Sequence, residues 1–162
     1  MTKRDPFQPV DDNARTLARQ LLSDAPHAAL VTLLPDSGAP SVTRIALATD
    51  PGGMPLSLIS TLAAHTQNLM ANPTCSLLIG DPGDKGDPLT HPRLTLHCMA
   101  QPVPRDSDDH KSLRDHYLSL RPKAKLYVDF ADFSFVRFAP SDGLLNGGFG
   151  KAYKLPPADL VS

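Results

Sequence analysis

The stretch Leu56 to Leu69, LSLISTLAAHTQNL, brings together residue types suited to holding an anion. An apolar strand runs out into Ser60 and Thr61, and His65-Thr66 open a short helical pattern that carries Asn68 and Leu69. Hydroxyls at a strand end and free N–H groups at a helix start together bind phosphate. The helix dipole adds roughly half a positive charge there, and a protonated imidazole would add a full one. Plain helix capping produces the same strand–turn–helix pattern. No Walker or Rossmann glycine pattern accompanies it, so a phosphate site here would be of another kind.

Arg44 is the strongest single candidate. In the strand Ser41–Thr49, Ile45 and Leu47 share a bulky face that suits a barrel interior, while Arg44 shares the other face with Ala46 and Ala48. Small neighbours leave room for a flat ligand, and the guanidinium fork takes two oxygens of a phosphate or carboxylate. A surface ion pair is the competing role.

His65 has three readings: a phosphate donor, a metal or haem ligand, or a surface histidine at a helix start. A cationic imidazole at a helix N-terminus is disfavoured unless an anion is bound. His97, inside RLTLHCMA, reads as a hydrogen-bonded structural histidine. His110 and His116 lack the i, i+4 spacing of a metal pair, and His27 and His91 sit in Pro-rich turns. Gly147, Gly148 and Gly150 precede no clear helix and form no nucleotide loop. No nucleophile elbow is present, and the acidic run at 106–109 suits a helix start. Cys75 and Cys98 lie in apolar stretches without metal or redox spacing and read as buried free thiols.

The elements that must position these residues follow from pattern. The 162 residues, 41% of them hydrophobic, carry a formal charge of −1, a globular balance with no basic field for nucleic acid. Every acidic residue is Asp, and the 17 prolines point to many turns rather than long helices. The N-terminus has no hydrophobic leader core and no window reaches membrane-spanning length, so the expectation is a cytoplasmic protein without a membrane partner. Residues 1–10 read as an arm and 11–162 as one domain. Asp11 or Asp12 caps a helix with an apolar stripe through Ala14, Leu17, Ala18, Leu21 and Leu22, ended by Pro26. Strands are predicted over 28–34, 41–49, 56–59, 74–79, 93–103 and 133–138, with the first two forming a hairpin. A charged helix over 106–120 presents Leu113, Tyr117 and Leu120 inward, a further helical turn spans 124–130, and 141–155 reads as a Gly-rich turn. The loop 80–92 is long enough to be functional, and it is expected, with Lys85, at the mouth of the site or across a subunit boundary. Six or seven mostly antiparallel strands with peripheral helices make an α+β fold built on a barrel.

Five blocks occurring in order, RIALATD, LSLISTLAAHTQNL, GDKGDPLTHPRLTL, DFSFVRF and LLNGGFGKAYKL, carry a family resemblance. The chain resembles the pyridoxamine 5′-phosphate oxidase-like FMN-binding split barrels, and within them the HugZ-type haem-utilisation branch. The resemblance implies a split β-barrel and a homodimer with FMN at the interface. It implies that Arg44, Ile45, Ala46 and Leu47 meet the flavin and its phosphate, that Ser60 and Thr61 bind phosphate, and that His65 with Thr66 stands where oxidases of the family carry a lysine. Two cations of that pattern are missing, since Thr49 and His65 occupy their places. Each lost charged hydrogen bond is worth about 1.5–3 kcal/mol, so weak FMN binding is expected. The branch often carries a second C-terminal domain, and a single-domain version is expected here.

The leading expectation is therefore an FMN-binding flavoprotein, an oxidoreductase of unknown substrate and electron donor. The flavin does the redox chemistry in such proteins, which fits the lack of a catalytic constellation. One alternative is a haem-binding or haem-degrading HugZ-type protein with His65, His97 or another histidine as ligand. Another is a non-enzymatic binding module that has lost the flavin.

Overall fold

The computed structural model describes residues 4–161, so residues 1–3 of the expected arm lie outside it. The rest of the arm has no regular structure and is tied down where Gln8 N–H donates to Ala152 O at 2.7 Å. In chain order the elements are α1 (Asp12–Asp24), β1 (His27–Leu33), β2 (Pro40–Ala46), β3 (Ala48–Thr49), β4 (Pro55–Ser60), α2 (Ala64–Ala71), β5 (Thr74–Ile79), β6 (Arg93–Pro102), α3 (Asp108–Leu120), β7 (Phe133–Asn146), β8 (Ala152–Leu155) and α4 (Pro157–Leu160). Single 3-10 turns span Pro88–Thr90 and Pro122–Leu126.

The strands form one antiparallel sheet in the order β2-β1-β5-β6-β7-β4-β3, with β8 on β7. Its two outermost members, β2 and β3, are consecutive in sequence and separated by Leu47 alone. A single bent strand therefore belongs to both ends of the sheet, which curls into a split barrel. Side chains finish the bend. Leu47 N–H donates to Pro26 O at 3.0 Å, and Leu47 O accepts from Arg121 Nε at 2.9 Å. The buried Ser57 hydroxyl donates to Ala46 O at 2.6 Å, linking β4 to β2 across the opening.

The bend divides the core. Ile45 and Leu47 face a cluster with Leu30, Leu77, Leu96 and Phe138, covered by α1 through Ala14, Ala18 and Leu22. Ala48, one residue on, belongs to a second cluster with Leu56, Leu113, Tyr117 and Phe135 under α3. Fully burying each Leu or Phe of these clusters stabilises the fold by about 1.5–3 kcal/mol. Asp11 caps α1 by accepting from Ala14 N–H at 2.8 Å.

Three expectations are corrected. The strand predicted as Ser41–Thr49 divides at Leu47, because alternation must change phase there to feed the second cluster. On α3 the buried stripe is His110, Leu113 and Tyr117, whereas Leu120 is 40% exposed, since α3 ends there and Ala124 and Val128 beyond it complete the cluster. The stretch read as a Gly-rich turn is largely sheet: β7 runs on to Asn146, and after a short turn Ala152–Leu155 returns as β8. With the divided strand and β8, the count is eight strands. Among the described residues no helix is long and apolar enough to cross a membrane.

Candidate functional site

β2 alternates cleanly up to the bend. Ile45 is buried, while Val42, Arg44 and Ala46 are exposed on the outer face. Arg44 makes no ion pair or hydrogen bond among the described residues, and it lines two cavities. One, of about 270 Å³, lies in the opening of the barrel and is lined by Arg44, Ile45, Ala46, Leu58, Ile59, Ser60, Ala63, His65, Tyr127 and Phe133. The other, of about 370 Å³, lies over the outer face and is lined by His27, Ala29, Val42, Thr43, Arg44, Leu78, Gly80, Asp81 and Pro82.

The first cavity thus unites Arg44, Ile45, Ala46, Ser60 and His65 from the sequence-predicted set. Leu47 is fully buried on the barrel side and Thr61 is exposed beside the mouth. Thr61 N–H donates to Asp132 O at 2.8 Å, and Thr61 O accepts from Gln67 Nε2 at 2.8 Å. The hydroxyls are already spent inside the chain. Ser60 Oγ donates to the Asp132 carboxylate at 2.6 Å and accepts from Leu62 N–H at 3.1 Å. Thr66 Oγ1 donates to Ser60 O at 2.6 Å, fastening the start of α2 to the end of β4. The buried Asn68 amide donates to the buried Thr32 hydroxyl at 3.0 Å, fastening α2 to β1.

Held this way, α2 carries His65 into the cavity, where Nδ1 lies 3.0 Å from Thr43 Oγ1. Burial lowers the His65 pKa below its ordinary 6.5, so the ring is neutral at pH 7. The positive charge at the cavity is therefore that of Arg44, and the Asp132 carboxylate opposes a phosphate next to Ser60.

Several residues here escape a reading of the sequence. Tyr127 and Phe133, ring centroids 4.9 Å apart, wall the cavity, and Asp132 sits beside Ser60 across 72 positions of sequence. Sequence alone offers no signal for pairings that distant. Thr43, the residue before Arg44, gains its partner His65 only because α2 returns to β2 across 22 positions of sequence. The first residues of the loop 80–92 reach the second cavity, where Asp81 pairs with His27 at 2.9 Å; Lys85 is exposed.

His97 on β6 bonds through Nδ1 to Asp142 Oδ1 at 2.5 Å. Cys75 and Cys98 are directly opposed on β5 and β6, both buried and free. Among the described residues no group of three or more metal-ligating side chains converges.

Residues 9–161 match the family model described as CREG, beta-barrel. The chain is 45% identical over 104 residues to the chloroplastic heme oxygenase HOZ of Arabidopsis thaliana, a match covering 64% of this chain and 30% of that protein. It is 32% identical over 115 residues to the heme oxygenase HutZ of Vibrio cholerae, covering 64% of this chain and 60% of HutZ. The matched region thus spans less than two thirds of either relative. A solved structure described as a heme binding protein from Mycobacterium smegmatis superimposes with a TM-score of 0.82 at 27% identity, covering 94% of this chain and 61% of that one.

Proposed function

The chain belongs to the CREG β-barrel family, and from that premise we propose that it is a haem-binding, haem-degrading protein of the HugZ type, acting as a homodimer with the haem held at Arg44. One observation carries the choice of haem over flavin. The hydroxyl that would bind a flavin phosphate, that of Ser60, is donated to Asp132, and His65 beside it is neutral. A phosphate there would meet a carboxylate and no second cation. A haem needs instead a cation for its carboxylates and apolar surface for its ring. Arg44 is an unpaired cation with apolar surface on both sides, Ala29, Val42 and Leu78 in one cavity and Leu58, Tyr127 and Phe133 in the other. The likeness to two heme oxygenases supports the same choice.

When bound, haem supplies the redox-active iron and is itself the ring that degradation consumes. The protein's part is binding and orientation. Arg44 grips carboxylate oxygens through a charge-assisted fork. Tyr127 and Phe133 wall the inner cavity with aromatic surface. Both cavities are open, and Val42, Leu78 and Met99 are exposed on the outer face. A second copy of the chain covering that face completes the enclosure.

Titration with hemin and, separately, with FMN tests the reading. Saturable growth of a Soret band is expected, with FMN binding far more weakly. Arg44→Ala should lower hemin affinity by roughly ten- to a hundredfold, the scale of a lost charged hydrogen bond. Tight FMN binding without a hemin complex would overturn the proposal.

A further inference from the structure

We propose, building on the haem reading above, that His97 is the iron ligand of this chain and that Asp142 is its positioning residue. The six histidines differ sharply in what their ring nitrogens already do. Both nitrogens of His91 are engaged, Nδ1 by Gly83 N–H at 3.2 Å and Nε2 by Lys85 O at 2.7 Å. Nε2 of His116 is 2.7 Å from Thr49 O, and Nε2 of His27 is 2.9 Å from the Asp81 carboxylate. His110 is buried against Phe135 in the second core cluster. His65 and His97 remain, each with Nδ1 bonded and with no partner for Nε2 among the described residues.

Two observations separate them. The first is the partner. A hydroxyl such as Thr43 Oγ1 can donate or accept and leaves the His65 tautomer open. The Asp142 carboxylate only accepts, so a His97 ring that carries one proton holds it on Nδ1 and leaves the lone pair on Nε2. Metal-ligating histidines nearly always have this arrangement, and the carboxylate makes the ring a stronger ligand. The second is position. Carboxylates hang from the edge of a haem and the iron sits at its centre, so the residues that hold each must stand apart. His65 shares a cavity with Arg44. His97 stands on β6, three strand intervals from Arg44 on β2, about 14 Å at normal sheet spacing.

The local backbone favours the same assignment. Cross-strand register places Arg44, Ala29 and Leu78 in one row of the outer face and Val42, Val31, Ser76 and His97 in the next. Small or apolar side chains thus pave the sheet between the cation and the imidazole. The β6–β7 register shifts between His97 and Cys98, where Ser141 is left over and its hydroxyl donates to His97 O at 3.0 Å. Such bulges re-aim a side chain, and the His97 side chain is 45% exposed beside the small Ser76.

The test is hemin reconstitution of the full chain, read by absorption, electron paramagnetic resonance and resonance Raman spectra, with circular dichroism to confirm folding. The wild-type protein and His65→Ala should show histidine-ligated iron. His97→Ala should lose that signature and weaken hemin binding roughly tenfold or more, and free imidazole should restore the signature. His97→Tyr should replace it with a tyrosinate charge-transfer band. Asp142→Asn should keep the ligand but lower the ferrous iron–histidine stretching frequency, which a merely structural role would not do. An unchanged spectrum in both His97 variants, or loss in His65→Ala instead, overturns the assignment while leaving haem binding intact. A wild-type chain that binds no hemin overturns both the assignment and the haem reading.

Discussion

Thr43 Oγ1 lies 3.0 Å from His65 Nδ1, so the start of α2 is latched to the residue preceding Arg44 on β2. The latch holds an imidazole whose pKa burial lowers. His110 is lowered as well, by burial first and by Arg105 next. In both cases the unfolded chain binds the proton more readily. Stability from these groups is full above the ordinary value of 6.5 and is lost as pH falls through it toward the folded-state values. Urea unfolding should therefore have a lower midpoint at pH 5 than at pH 7.5, and the double variant His65→Gln, His110→Phe should flatten that slope. Imidazole NMR resonances of His65 that titrate at or above 6.5 would refute the account.

The Ser60–Asp132 pair governs the response to phosphate. Asp132→Asn removes the opposing charge, and His65→Lys supplies a permanent one. FMN titrations should show each variant binding more tightly than wild type, by a factor of roughly ten for a contact worth about 1.5 kcal/mol. Equal affinities in all three proteins would mean that the phosphate does not approach this corner.

Asn68 and Thr32 form a buried side-chain pair, so cutting one side strands the other. Asn68→Ala should destabilise the protein by about 1–3 kcal/mol, the cost of an unsatisfied buried polar group. Hydrogen exchange should also speed up along α2. A change within experimental error in both would show that α2 is held mainly by Leu69 and Thr66.

The proposed dimer rests on the apolar outer face. Val42→Asp sets a charge in the middle of it, where Val42 is 66% exposed, so the monomer fold should not suffer. Sedimentation velocity should show a dimer for wild type and a monomer for the variant. A monomeric wild type at micromolar concentration would remove the dimer from the proposal.

The sequence is most readable where one element answers to one rule. The Asp11 cap and the α1 stripe, the alternation that sets Ile45 inward and Arg44 outward, and the strand 74–79 all follow from local periodicity. The residues of the cavity were legible only in part, because the strand end and helix start are local while Asp132, Tyr127 and Phe133 arrive from the far side of the barrel. The hydroxyls of Ser60 and Thr66 illustrate the limit. Their types and spacing suit a phosphate, yet identical residues serve to fasten β4 to α2, and only the partners Asp132 and Ser60 O distinguish the two uses. The end of β7 is hidden for another reason: Pro140 and Gly143 suit a turn, yet Pro140 pairs with β6 alone, next to the bulge residue Ser141, and Gly143 lies past the bulge where β8 joins the sheet.

Cys75 and Cys98 face each other between β5 and β6, inside the wall of the barrel. Burial pushes the Cys75 thiol up to about 12 and raises Cys98 as well, so neither offers a thiolate at neutral pH. Alkylating reagents can reach these sulfurs only when the two central strands part. Their labelling rate is thus a built-in clock for the opening of the barrel. It should slow when a ligand bridges the outer face and leave ligand-induced changes confined to α2 unregistered.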